Sequence, residues 1–210
     1  LDHVGGLAWI LAHFQVEKFW TNGAERQEEF WRRIERAMVQ RKLEATVATE
    51  GRLISEGPAC RMVVLNPQPR PESSISAKSE SLNNLSVVTE LVCREQRVLF
   101  TGDIEREALT RLTHSGNSAH IALLKGPHHG AKSSLERRWL ETIRPAVGVV
   151  SAGRRNPYGH PAGEVLAAYQ AVETQVWRTD RDGAIWADLD LTRQELSMHS
   201  TREWILQPAL

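Results

Sequence analysis

The chain holds little of what would place it in a specialised class. Only two cysteines, Cys60 and Cys93, occur in 210 residues. They are far apart and lack a Cys-x-x-Cys partner, so they make no zinc knuckle. Each sits in an apolar run, with Arg-Met-Val-Val-Leu after Cys60 and Val-Thr-Glu-Leu-Val before Cys93. That setting reads as buried free thiols on strands, and a disulfide is the open alternative. No stretch approaches the ~20 uninterrupted apolar residues of a membrane span, and no signal peptide opens the chain. Net charge is also missing: 26 Lys plus Arg balance 26 Asp plus Glu. That balance argues against a nucleic-acid binder that relies on bulk positive charge. It does not exclude a nuclease whose metal ions hold the phosphate.

What is present suits an ordinary globular domain. Apolar residues make up 41% and charged residues 25%, and the length allows one sizeable core. We expect a single domain over residues 1–192 and a tail over 193–210. The chain opens on Leu1 and goes directly into Asp-His-Val-Gly-Gly, which reads as a piece of a longer polypeptide. Residues 125–160 carry seven Lys and Arg against two Glu. On charge alone this is a solvated helix face.

Periodicity predicts helices over Ala8–His13, Ala24–Lys42, Glu105–Thr113, Ser134–Ile143 and Gly163–Val172. Ser133 or Ser134 should cap the fourth. Strands are expected at Val16–Trp20, Ala45–Thr49, Arg61–Leu65, Ile121–Leu124, Ala146–Val150, Gln175–Arg178 and Ala184–Leu189. Val87–Cys93 and Arg97–Phe100 should form a hairpin. The Pro- and Ser-rich stretch from Pro67 to Leu82 reads as a mobile surface loop. Strands and helices mix throughout, which fits two sheets packed face to face with helices outside. Of seven tryptophans, Trp20, Trp31, Trp139, Trp177 and Trp186 read as packing residues, while Trp9 could face either way.

Three short clusters carry possible chemistry. They are Asp2-His3-Val4-Gly5-Gly6, Thr101-Gly102-Asp103 and Lys125-Gly126-Pro127-His128-His129-Gly130. Asp and His are suitable ligands for Zn²⁺ or Mn²⁺, and neighbouring glycines allow sharp turns and close substrate approach. Singly, each reads as a turn, a cap or a surface pair. In order, they are more specific.

Asp2-His3-Val4-Gly5-Gly6-Leu7 resembles the end of the first metal motif of the metallo-β-lactamase-fold domain in ComEC-type DNA-uptake proteins. Asn83-Asn84-Leu85-Ser86, Thr101-Gly102-Asp103 and Leu124 to Ser134 resemble later blocks of the same family. So do Ser151-Ala152-Gly153, Asn156, Tyr158-Gly159-His160-Pro161 and Thr179-Asp180 to Ile185. The resemblance implies an α/β fold, an αββα sandwich of two mixed sheets with outer helices, lacking its first strands. It also implies a metal-dependent hydrolase with two divalent ions, Zn or Mn. The reaction would be cleavage of DNA phosphodiesters during natural transformation. Expected partners are DNA, a membrane channel domain of the same parent polypeptide, and other competence proteins. The expected location is the outer face of a bacterial cytoplasmic membrane.

Residue by residue, Asp2 and His3 would be ligands and Asp103 a bridging ligand. One of His128 and His129 would be a ligand and the other an acid/base group. The sequence does not choose, and the working assignment puts His128 on the metal and His129 with His160 in catalysis. A structural histidine pinned in its Gly159/Pro161 turn is the equal alternative for His160. Asn84, Ser86, Lys132, Ser133, Asn156 and Tyr158 would contact substrate, with capping the alternative for the serines. The family's His and Asp upstream of Asp2 are missing, so the chain as it stands completes at most a partial two-metal site. Other readings are a phosphoesterase on a non-nucleic-acid substrate and a degenerate domain that guides DNA without cutting it.

Overall fold

The computed structural model describes residues 3–24, 28–69, 81–114 and 120–202. Asp2, part of the Ala24–Lys42 helix prediction and most of the Pro/Ser-rich stretch lie outside the described residues.

The helix α1 (Leu7–His13) is followed by β1 (Phe19–Thr21), α2 (Glu29–Gln40) and β2 (Ala45–Val47). β1 and β2 pair in parallel. α2 is amphipathic: Ile34 and Met38, one turn apart, are buried with Leu11 of α1. Three arginines of α2 (Arg32, Arg33, Arg36) gather around its exposed Glu29.

The main sheet has seven strands. They are β3 (Leu53–Glu56), β4 (Cys60–Asn66), β5 (Val88–Cys93), β6 (Gln96–Phe100), β7 (Leu123–Lys125), β8 (Val147–Val150) and β9 (Gln175–Arg178), side by side in chain order. The first four run antiparallel. From β6 onward the pairs are parallel, so each connection must cross over through a helix. Those helices are α3 (Arg106–His114), α4 (Arg137–Ile143) and α5 (Gly163–Ala171). Their apolar faces join the sheet in one core that includes Leu109, Leu124, Trp139, Val150 and Tyr169. Each buried aliphatic there contributes about 1.5–3 kcal/mol relative to exposure. A short α6 (Thr179–Asp182) leads to a hairpin of β10 (Ile185–Asp190) and β11 (Glu195–Ser200).

The α/β class expected from the sequence is the one observed, a mixed sheet flanked by helices; beside the seven-stranded sheet the described residues form two two-stranded sheets. No helix among the described residues is long and apolar enough to cross a membrane.

Three expectations are corrected. Cys60 and Cys93 are not free thiols. They face each other in the β4–β5 register with Cα atoms 4.1 Å apart and form a disulfide. Neither Ser133 nor Ser134 caps α4. The Glu136 carboxylate accepts from the Arg138 N–H at 3.1 Å, and Ser134 donates to the Pro127 and Ala131 carbonyls. The segment expected as a tail from residue 193 supplies β11, a strand that completes a hairpin.

Candidate metal centre

A parallel sheet brings the carboxyl ends of its strands to one edge, where the loops can converge. Here Asp103 follows β6, His128 and His129 follow β7, Ser151 follows β8 and Thr179 follows β9. His3 arrives from the turn before α1.

His3 Nε2 lies 2.8 Å from Asp103 Oδ2 and 3.2 Å from His129 Nε2. His129 Nε2 is 3.7 Å from Asp103 Oδ1. Ligand atoms of His3, Asp103 and His129 all fall within 4.8 Å of one another, although up to 126 positions separate them in the chain. Among the described residues this is the one such group.

Two observations show that the trio suits a divalent cation. The first is the Asp103 Oδ1 atom, which is buried without a hydrogen-bond donor; burying a carboxylate oxygen unpaired is costly unless a cation meets it. The second is the ring of His129. Its Nδ1–H donates to the Ser151 carbonyl at 2.7 Å, which fixes the tautomer and leaves the Nε2 lone pair facing Asp103 and His3.

The backbone around these groups is tightly specified. His128 and His129 both adopt left-handed conformations, φ 45° and 55°. Asn, Asp and His reach this region more easily than other L residues, but it is still uncommon and clusters at functional sites. Gly130 (φ +77°) has no room for a side chain: an added Cβ would stand 2.6 Å from Pro161 Cβ. Gly102 (φ +55°) is similarly closed by Ser86 Cβ at 2.7 Å.

The structure divides the paired histidines differently from the working assignment. His129 joins the trio, while His128 turns to Glu105, with Nδ1 3.4 Å from Oε1. The reason is local. Consecutive residues in left-handed conformation point their side chains apart, and only His129 has the Ser151 carbonyl to orient it. His160 lies next to His128, with ring centroids 6.1 Å apart. Its pKa is lowered, first by burial and then by His128 and His129, against Asp103. Its Nδ1 is buried without a partner.

The residues expected to touch substrate separate into two groups. Ser86 borders the cavity beside Asp103, and its hydroxyl accepts the Asp103 N–H at 3.0 Å. Ser133 Oγ donates to Glu105 at 3.1 Å and lies near His128. Tyr158 is exposed and stacked on His160. The others serve the frame. Asn84, 1% exposed, accepts the Glu105 N–H at 2.8 Å and donates to Glu107, so it does not line the pocket. Asn156 closes its own loop on Gly153 and His160. Lys132 pairs with Glu164 at 2.7 Å on the surface.

Glu105 is the residue that sequence reasoning missed. Burial pushes its pKa up, but hydrogen bonds from Ser81, Asn83 and Ser133 and the nearby His128 outweigh that and hold it below the usual carboxylate range. Its signal was the acidic residue two places after Asp103, which reads simply as a helix start. Thr179 was visible only as part of a motif. Its hydroxyl donates to the Ala152 carbonyl and accepts the Ala152 N–H, both at 2.9 Å. That clamps the chain beside Ser151.

Fold and centre together define an α/β domain with a cluster of three side chains suited to hold a metal ion. No family profile matches the chain. It is 32% identical over 105 residues to ComE operon protein 3 of Bacillus subtilis (strain 168), covering 50% of this chain and 14% of that protein. It is 30% identical over 105 residues to Recombination protein 2 of Haemophilus influenzae, with 50% and 13% covered. Uncharacterized protein YcaI of Escherichia coli (strain K12) is 28% identical over 133 residues, 63% and 17%. The matched part of the chain thus spans less than a fifth of these relatives, and the homology is partial. A crystal structure from Parabacteroides distasonis, described as a candidate metal-dependent hydrolase, overlaps 70% of this chain and 62% of its own. Its TM-score is 0.42 and its identity 10%, a likeness that carries no argument.

Proposed function

We infer that this chain is the hydrolytic domain of a ComEC-like DNA-uptake protein and cleaves DNA phosphodiester bonds with a divalent ion, Zn²⁺ or Mn²⁺. The observation that carries the reading is the meeting of His3, Asp103 and His129 at one edge of the sheet. The partial homology to ComE operon protein 3 supports the biological setting. Asp2, outside the described residues, would add a ligand, and the expected two-ion centre would need donors beyond the trio.

A divalent ion held by the trio would activate water and neutralise charge on the scissile phosphate. The chain's own groups prepare that chemistry. Ser151 holds His129 in the tautomer that presents Nε2. Ser86 anchors Asp103 through its backbone N–H. Glu105 faces His128 Nδ1 and orients its ring. His160, next to His128 and with its pKa lowered toward the neutral ring, is placed to hydrogen-bond substrate or accept a proton from it.

The Cys60–Cys93 disulfide supports a location outside the cytoplasm, because such bonds persist in oxidising compartments. The reading keeps the expected partners: DNA, the channel domain of the same polypeptide and other competence proteins.

The test is cleavage by this chain of labelled single-stranded and duplex DNA, and of bis(p-nitrophenyl) phosphate, with Mn²⁺ or Zn²⁺ and with Asp103→Ala as control. Metal-dependent DNA cleavage that disappears in the variant supports the reading. Cleavage of the small diester but not DNA would make it a phosphoesterase of another substrate. No cleavage of either would leave a DNA-guiding domain and refute the hydrolytic role.

A further inference from the structure

A cavity of about 410 Å³ adjoins the metal centre, and His3 and Asp103 form part of its wall. Phe19, Trp20, Phe30 and Trp31 form much of the remainder. None of these four rings is buried and none is fully exposed. Their presence at a polar centre contrasts with Trp139, which is 2% exposed in the main core. The volume falls in the ~300–1,000 Å³ range of small-molecule sites. Among the described residues the lining contains no Lys or Arg, although the Arg52 guanidinium lies 5.7 Å from the centre of the Trp20 ring, so aromatic surface and not positive charge dominates the wall. Flat aromatic walls with uncharged amide neighbours suit a planar, neutral, hydrogen-bonding ring.

We propose that this cavity seats an unpaired nucleobase of the substrate strand, directly beside the metal centre. The proposal rests on the nuclease reading and deepens it. The phosphate goes to the cation side and the base to the aromatic side. A base stacked and paired within a duplex cannot enter such a cavity without being extruded, whereas a single strand or frayed end supplies one freely. The substrate is therefore DNA that is single-stranded at the scissile nucleotide. The seat is tolerant of sequence, because every base has a π-face for the rings to meet.

The test separates this proposal from the nuclease reading by measuring binding without metal. A thymidine octamer and an octamer of abasic residues with the same phosphate charge are titrated against the chain in EDTA. The readouts are tryptophan fluorescence and anisotropy of a label on the octamer. The thymidine octamer should bind about tenfold tighter or more, the size expected from one base-on-ring stack. Trp20→Ala should remove most of that preference and Trp20→Phe should retain it, with circular-dichroism melts confirming folding. The wild-type comparison decides even if Trp20→Ala does not fold. Equal binding of the two octamers, no binding of either, or an unchanged preference in a folded Trp20→Ala overturns the seat. Base preference without any metal-dependent cleavage would keep the seat and sink the nuclease reading. Cleavage without base preference would do the reverse.

Discussion

Gly130→Ala tests how firmly the histidine loop is built. Gly130 has φ +77°, where an alanine costs roughly 1–2 kcal/mol from contact between its Cβ and its own backbone. The new Cβ would also stand 2.6 Å from Pro161 Cβ, 3.0 Å from Pro161 Cα and 3.3 Å from Val150 Cγ1. Neither proline atom can rotate away, so the chain itself must move, at a further ~1–3 kcal/mol. The Ala162 N–H bonds the Gly130 carbonyl at 2.9 Å, so that movement pulls on the segment carrying His160. The expected loss is about 2–5 kcal/mol, or roughly 5–15 °C in Tm for a domain of this size. Gly159→Ala is the control. It has φ +68° but nothing within 4 Å of the added Cβ, so it should lose only the ~1–2 kcal/mol conformational part. Urea denaturation of both variants gives the comparison. Equal losses, or a loss below ~0.5 kcal/mol at Gly130, would refute the steric reasoning.

Thr179→Val should release Ala152 and weaken metal binding about tenfold by loosening the Ser151–His129 contact. Thr179→Ser should restore it, and nitrogen NMR of the His129 ring should show the tautomer change. Reduction of Cys60–Cys93, or the double serine variant, should cost about 3–4 kcal/mol for a loop of 33 residues, read as a lower denaturation midpoint. An unchanged midpoint and two thiols titratable in the native state would contradict the bond. The Asp182 pKa is lowered, first by its hydrogen bond from Arg181 and also by the Arg178 N–H, against burial. A depressed carboxylate contributes stability above its unfolded value near 4, and that contribution is lost as pH falls through the lower folded value. Asp182→Asn should therefore cost about 1–3 kcal/mol at neutral pH, with the gap to wild type closing on acidification below pH ~4. A gap independent of pH would show that charge plays no part.

The sequence made the long, periodic elements readable, and the reasons are physical. α2, α3 and α5 carry apolar residues at helical spacing, and the β5–β6 hairpin has its turn at Arg94-Glu95. β3 was missed because Leu53–Glu56 is short and mostly exposed. β11 was missed because its residues alternate weakly and depend on β10 for burial. The disulfide depended on a strand register that spacing does not reveal. The centre was legible as a set, since His3, Asp103 and the paired histidines were all singled out. Which histidine faces inward was not legible, because a backbone carbonyl at Ser151 decides it and a carbonyl leaves no mark in the sequence. The same limit concealed Asn84, whose amide turned out to hold a helix start. It also concealed that Trp20 borders a cavity, while Trp31 packs against the cluster of Leu11, Ile34 and Met38 as expected and borders the same cavity.

The most direct measurement is calorimetric titration of Mn²⁺ and Zn²⁺ into the metal-free chain, alongside Asp103→Asn, His129→Gln and His128→Gln. Saturable binding that is lost in the first two variants and kept in the third is the predicted result. Binding that survives Asp103→Asn and His129→Gln, or that depends on His128 instead, would contradict the account.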